Sequence, residues 1–192
     1  YHNPAPVAKG SRLQQAIIQE LSAANIFLVL KTGEIVTPSL KRGTILPGVT
    51  RDTVLTLARE FKDELLPIMA KSIKESGMGE EKKDDFEVTV SERDVCVGDL
   101  LNATEVFVTG TAAEVVPVQS IGTSETPAEE LDGEEEESFS VKFPHGELSP
   151  GPITTKLLDM LREVLAEKRS CEATTDWLCD VYASPEDFRK KA

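Results

Sequence analysis

The stretch GTILPGVTRDTVLTLARE, residues 43–60, places a Pro-Gly turn directly before a helical pattern. Apolar residues then recur three and four positions apart, which predicts a helix from Arg51 onward. Gly48 and Val49 leave the first backbone N–H groups uncovered, so the helix start could bind a phosphate or a carboxylate. Thr50 could instead cap the helix with its hydroxyl, and this stretch taken alone favours capping.

Strand patterns lie on both sides of this helix. NIFLVL and IVT flank the turn KTGE and predict a hairpin over 25–37 that Pro38 ends. FEVTVSER (86–93) alternates apolar and polar residues, as a half-buried strand does. EVFVTG and AEVVPVQSIG predict two more strands, and the intervening small residues suit either a phosphate or a tight turn. This alternation of strands and helices predicts a mixed α/β (α+β) fold class.

Prolines punctuate the helical segments. Pro67 is expected to kink or end the first helix, with a second short helix over 68–76. GPITTKLLDMLREVLAEKR, residues 151–169, predicts a helix with Pro152 near its start. Its apolar face is expected to comprise Leu157, Leu158, Leu161, Val164 and Leu165.

Composition excludes several classes of partner. The formal net charge is −13, which argues against a nucleic acid or an anionic membrane as partner. Eight of the acids fall within 125–137, a stretch without a base. No apolar run approaches about 18 residues, so no membrane span is expected. Three cysteines without a CxxC pair predict a reducing, intracellular location, and two histidines are too few for a recognisable metal site.

Glu20 is the third feature of interest. It ends a short apolar run five residues before Asn25. A glutamate in such a place is usually a surface residue. Its functional interpretation is a carboxylate that faces a heterocyclic nitrogen.

The order of these features resembles a known family. ELSAANIF (20–27), IVT (35–37) and LPGVTR (46–51) are similar to the signature of the class IV aminotransferases, which use pyridoxal 5′-phosphate. Later blocks resemble the branched-chain amino-acid aminotransferases within it: ERDVCVGDLLNATEVFVTGTAAEVVPV (92–118), GPITTKLLDML (151–161) and DWLCDV (176–181). The resemblance implies the large C-terminal domain of the D-amino-acid aminotransferase-like fold, incomplete at its N-terminus.

The resemblance also implies roles for particular residues. Glu20 matches the carboxylate that faces the pyridine nitrogen of the cofactor. Contacts to the cofactor phosphate are implied for Gly48, Val49, Thr50 and Thr111. Ala112 and Ala113 match backbone positions near the substrate carboxylate. Tyr1 matches a tyrosine near the phenolic oxygen of the cofactor.

One departure from the family concerns the catalytic lysine. The lysine that carries the cofactor precedes the matched tyrosine in the family, so no catalytic residue is expected between Tyr1 and Ala192. The chain alone is therefore expected to be inactive. The expected organisation is a truncated N-terminal part (1–24), the large domain (25–181) with insertions at 61–85 and 123–138, and a tail (182–192).

The resemblance implies a reaction and its partners. The full protein would transfer an amino group between Leu, Ile or Val and 2-oxoglutarate, in branched-chain amino-acid metabolism, and would form a homodimer. Two alternatives stay open. One is a truncated, non-catalytic homologue that acts as a binding protein, and the other is a D-amino-acid transaminase or aminodeoxychorismate lyase on the same fold.

Overall fold

A computed structural model describes residues 13–75, 87–122, 140–145 and 149–174. The strands are β1 Ile17–Ile18, β2 Asn25–Leu30, β3 Glu34–Pro38, β4 Thr89–Arg93, β5 Val95–Cys96, β6 Ala103–Gly110, β7 Glu114–Pro117, β8 Ser120–Gly122 and β9 Ser140–Lys142. The α-helices are α1 Val49–Glu60, α2 Lys62–Glu75, α3 Val97–Leu100 and α4 Pro152–Leu165. Short 3-10 helices occupy Leu13–Gln15, Leu40–Arg42 and Glu172–Thr174.

The central sheet has five strands in the order β4-β3-β2-β6-β7. The hairpin of β2 and β3 is confirmed, and β3 ends at Pro38 as predicted. Neighbouring strands are antiparallel except for β3 and β4, which run parallel, so the fold is mixed α/β. The register pairs Asn25 with Thr109. The first residue of β2 therefore lies beside the last residues of β6, at one end of these two inner strands.

Both faces of the central sheet are covered. Phe27 and Phe107 stack at a centroid distance of 5.0 Å on the face that carries α1, α2 and α4. Leu28 and Val106 lie in the core of the opposite face, which includes residues of α3, β5 and β9. Burial on both sides explains why β2 is an uninterrupted apolar run after its first residue.

The break between the first two helices differs from the prediction. α1 ends at Glu60 and α2 begins at Lys62, so the helical segment is interrupted at Phe61 and does not end at Pro67. Pro67 lies inside α2. Leu65 and Met69 are buried in the core, which anchors α2 despite the hydrogen bond that proline removes. A surface insertion was expected over 61–85. Residues 62–75 form a helix packed on the core instead. Residues 76–86 lie outside the described ranges.

The last described α-helix confirms most of its predicted pattern. α4 begins at Pro152, and Leu157, Leu161 and Val164 are buried. Leu165 is 59% exposed, so its place on the apolar face was wrong. Met160 is buried instead, because the packed stripe follows the spacing of 153, 157, 160, 161 and 164.

Three further properties belong to the described ranges alone. Neither Cys96 nor Cys171 forms a disulfide there. No helix in these ranges combines the length and apolarity needed to cross a membrane. Groups of three or more potential metal ligands are also absent from these ranges. The acidic stretch, Cys179 and the expected tail lie outside them.

Candidate functional site

An open cleft of about 150 Å³ lies at the end of the central strands where β2 begins and β6 ends. Three segments that are distant in sequence line it, namely 20–25, 46 with 48–51, and 109–111. The first precedes and enters β2, the second contains the first turn of α1, and the third closes β6. The cleft therefore joins the three features that the sequence singled out separately.

The first turn of α1 presents backbone donors to this cleft. Gly48 is the residue before the helix, and no side chain caps it. The first intrahelical bond runs from Asp52 N to Gly48 O, at 3.0 Å. The alternative that Thr50 caps the helix is wrong, because Thr50 is itself helical. The helix start therefore keeps donors and a positive dipole end available to an anion.

The Glu20 carboxylate is held on another wall of the cleft. Its Oε2 accepts a hydrogen bond from Asn25 Nδ2 at 3.0 Å and one from Leu46 N at 3.1 Å. Within the described ranges, no donor reaches Oε1. Glu20 thus lines the cleft with one oxygen anchored and the other able to accept a hydrogen bond from a ligand.

Two threonine hydroxyls belong to the third wall. Thr111 lines the cleft and is exposed just beyond the end of β6. Thr109 is only 1% exposed, and its Oγ1 has no hydrogen-bond partner among the described residues. Buried hydroxyls without a partner are uncommon in folded proteins. Together with the uncapped helix start, this donor set fits a phosphate group.

Arg51 braces the helix start from behind. Its side chain is buried, and Nη2 donates to Pro38 O at 2.9 Å and to Glu92 Oε2 at 2.7 Å. Burial would raise the pKa of Glu92, but hydrogen bonds from Arg59 and Arg51 outweigh it and hold that pKa below its usual range. The charged pair ties the first turn of α1 to β3 and β4. The position of the backbone donors is therefore set by the sheet.

Most predicted site residues converge in this cleft. Its lining includes Glu20, Gly48, Val49, Thr50 and Thr111. Ala112 and Ala113 are exposed in the connection from β6 to β7, outside the lining residues. Tyr1 lies outside the described residues.

Sequence reasoning gave no role to several other lining residues, among them Asn25, Leu46 and Arg51. Asn25 could have been identified from the sequence. It precedes a run of five apolar residues, and a buried amide there needs a hydrogen-bond partner. Leu46 is 70% exposed and offers apolar surface at the cleft. The role of Arg51 depends on strands β3 and β4 lying beside α1, which the local sequence does not show.

The fold and the cleft define a protein of the aminotransferase class. Residues 12–76 match the model of the family described as amino-transferase class IV. Over these residues the chain belongs to this family.

Relatives of the chain in this family are branched-chain-amino-acid aminotransferases. Branched-chain-amino-acid aminotransferase 6 of Arabidopsis thaliana is 32% identical over 164 residues, which cover 85% of this chain and 33% of the relative. A probable branched-chain-amino-acid aminotransferase of Aquifex aeolicus is 33% identical, with coverage of 88% and 39%. The chain thus spans between about a third and two fifths of the length of these relatives.

Solved structures agree with the sequence relatives. The branched-chain amino acid aminotransferase of Thermobaculum terrenum (M4 mutant) matches with a TM-score of 0.53 and 30% identity. That match covers 85% of this chain and 39% of the other. The structure of the same protein in its pyridoxal-phosphate (holo) form matches with a TM-score of 0.50, 30% identity and coverage of 80% and 36%. The architecture described above is therefore part of a branched-chain aminotransferase fold.

Proposed function

We propose that the cleft binds pyridoxal 5′-phosphate and that the chain is the cofactor-binding part of a branched-chain amino-acid aminotransferase. One observation carries this proposal: Glu20, the first turn of α1 and Thr111 line a single cleft. An anion site suits the phosphate of this cofactor, and a carboxylate suits its ring nitrogen. The holo form of the Thermobaculum terrenum relative supports the choice of cofactor.

The phosphate end of the cleft would be formed by the start of α1. Backbone N–H groups of Val49 and Thr50 lie in the first helical turn, where the helix dipole favours a negative charge. The hydroxyls of Thr50 and Thr111 add donors. Gly48 contributes by leaving the helix start uncapped.

The ring end would be formed by Glu20 and Leu46. When bound, pyridoxal phosphate supplies a pyridine ring that accepts electrons from the substrate. A carboxylate beside the ring nitrogen favours the protonated form of that nitrogen. Glu20 would hold this proton through Oε1, while Leu46 gives the ring an apolar contact.

The substrates follow from the same proposal. The full protein would exchange an amino group between Leu, Ile or Val and 2-oxoglutarate. The backbone of Ala112 and Ala113, just beyond Thr111, would bind the substrate carboxylate, and Tyr1 would contribute near the cofactor. A homodimer and a reducing compartment complete the proposal.

Cofactor binding is tested with pyridoxamine 5′-phosphate, which binds without a lysine, and with inorganic phosphate. We expect both to bind the 192-residue chain in competition with each other. Thr50→Val should weaken both about tenfold or more, because a hydrogen bond to a charged group is lost. Thr53→Val is the matched control, since the Thr53 hydroxyl bonds Val49 O within α1 and lies outside the cleft lining.

Glu20→Gln separates the two ends of the cleft. It should weaken pyridoxamine 5′-phosphate and leave inorganic phosphate unaffected, since only the ring contacts Glu20. Equal loss for both ligands, or no binding to the unmodified chain, would contradict the proposal. Isothermal titration calorimetry measures all of these affinities.

The aminotransferase reaction is tested by sequencing the gene and by assaying the protein that it encodes. Upstream of Tyr1 we expect codons for Lys-x-Gly-Gly-Asn. The protein encoded by the complete gene should form glutamate from 2-oxoglutarate with Leu, Ile and Val as donors, and not with D-alanine. If that lysine motif is absent, the non-catalytic alternative replaces this proposal. Turnover of D-alanine would favour the D-amino-acid transaminase alternative.

A further inference from the structure

Asn25 is a buried amide between two walls of the cleft. It is 5% exposed at the first position of β2. Its Nδ2 donates to Glu20 Oε2 at 3.0 Å and to Leu46 O at 2.9 Å. Leu46 N in turn donates to Glu20 Oε2 at 3.1 Å. These three groups form a closed ring of hydrogen bonds.

The local backbone brings Glu20 and Asn25 side by side. Leu21 and Ala24 exchange backbone hydrogen bonds of 3.0 and 3.3 Å, so the chain turns tightly between them. Asn25 is anchored because it begins a strand in the middle of the sheet. Glu20 precedes the turn and belongs to no strand or helix. The hydrogen bond from the Asn25 amide therefore holds the Glu20 carboxylate at a fixed place relative to the sheet.

Gly48 supplies an independent observation. A Cβ at this position would overlap Asn25 Oδ1. The backbone of Gly48 has φ −70° and ψ 136°, which any residue adopts, so its dihedral angles do not demand glycine. Glycine at 48 therefore accommodates the Asn25 amide against the helix start.

We propose that Asn25 is a positioning residue that fixes the distance and orientation of the Glu20 carboxylate relative to the start of α1. This inference rests on the proposed function, since it concerns the ring end and the phosphate end of the same cleft. Asn25 would act on the ligand through Glu20, whose carboxylate it holds. It acts by donating one amide hydrogen to Glu20 Oε2 and the other to Leu46 O, so that Oε1 is left to face the ring nitrogen.

The test uses Asn25→Leu, which keeps a similar volume and removes the amide. The measured quantity is the pH at which the ring nitrogen of bound pyridoxamine 5′-phosphate loses its proton, followed by 15N NMR of labelled ligand. We expect this pH to fall by about 1, equivalent to a tenfold weaker preference for the protonated ring. Affinity for inorganic phosphate should be unchanged.

Two further variants keep the test decisive if Asn25→Leu fails to fold. Gly48→Ala leaves the amide in the sequence but displaces it, and should lower the same pH. Thr37→Val is the matched control. It removes a buried hydrogen bond from the Thr37 hydroxyl of β3 to Ile26 O, and Thr37 is not among the residues that line the cleft. The control should leave the ring-nitrogen pH unchanged.

The outcomes separate this inference from the proposed function. Normal ring protonation in both Asn25→Leu and Gly48→Ala, with ligand still bound, overturns the positioning role alone. A fall in this pH that Thr37→Val reproduces also overturns it, since general loosening of the sheet would then suffice. If the unmodified chain binds neither ligand, the proposed function fails and the positioning role fails with it.

Discussion

At the scale of single residues, a buried carboxylate outside the cleft joins sheet and helix. Glu105, in the middle of β6, is 1% exposed. Its Oε1 accepts from Ile153 N at 3.0 Å, and its Oε2 accepts from Thr154 N at 2.8 Å and Thr154 Oγ1 at 2.7 Å. Glu105 thus performs from a distant strand the capping that Gly151, before α4, lacks a side chain to perform.

Gly151 is explained by the same contact, because a Cβ there would overlap the Glu105 carboxylate. We expect Glu105→Gln to lower the free energy of unfolding by about 1–3 kcal/mol, since an amide donor would then face N–H groups. Urea denaturation measures the change. The neighbouring Thr104→Val, which loses one hydroxyl bond to Val29 O, is the control. An effect of Glu105→Gln no larger than that of the control would contradict the capping role.

At the scale of elements, an ionic cluster joins α2 to α4 and to the segment after it. Glu64 of α2 contacts Lys156 Nζ at 2.6 Å and Arg169 Nη1 at 2.7 Å. The Arg169 guanidinium also lies 4.4 Å from the ring centroid of Phe61, at the break between α1 and α2. Hydrogen bonds from Arg169 and then Lys156 lower the pKa of Glu64 to about 2.

This lowered pKa predicts a pH dependence of stability. The folded protein binds the Glu64 proton less readily than the unfolded chain does, whose reference value is 4.5. Its contribution is therefore complete above about pH 4.5 and disappears as the pH falls toward about 2. Because Glu64 is 39% exposed, solvent screening limits that contribution to about 1 kcal/mol or less.

Glu64→Gln tests this dependence. Its free energy of unfolding should lie below that of the unmodified chain near neutral pH, and the two should converge as the pH approaches about 2. Urea titrations at a series of pH values follow the difference. Asp159→Asn, which removes an exposed carboxylate from α4, is the matched control. A difference for Glu64→Gln that is constant over the whole range would show that the ion pairs contribute no pH dependence.

At the scale of the whole molecule, the cleft has an apolar rim. Leu21, Leu46 and Val49 are 42%, 70% and 78% exposed, and all three line the cleft. Exposed apolar residues that cluster around a site favour association. The cleft rim is therefore an exposed apolar surface that favours association with another apolar surface.

We expect the isolated 192-residue chain to self-associate through this rim. Replacing Leu46 and Val49 by Ser should lower the average mass in light scattering. Leu165→Ser, which changes an exposed apolar residue on α4 away from the cleft, is the control and should leave it unaltered. A monodisperse monomer of the unmodified chain would refute the expectation.

Local patterns predicted much of the fold and part of the site. The hairpin of β2 and β3, the helix from about residue 50 and the helix from Pro152 follow from period-two and three-four spacing, which depend on neighbouring residues alone. Glu20 and Thr111 were identified through the family resemblance. Pro67 misled because its local preference was outweighed by burial of Leu65 and Met69, a gain that only the packed core provides.

The sequence by itself determined the class of fold and, through the family resemblance, part of the cleft lining: Glu20, Gly48, Val49, Thr50 and Thr111. Only the tertiary structure decided how they work together. The pairing of Asn25 with Thr109, 84 positions apart by numbering, brings one amide and one hydroxyl to the start of α1. Hydrogen bonds and close packing act over a few ångströms in space, so residues far apart in sequence become partners only when the sheet is assembled.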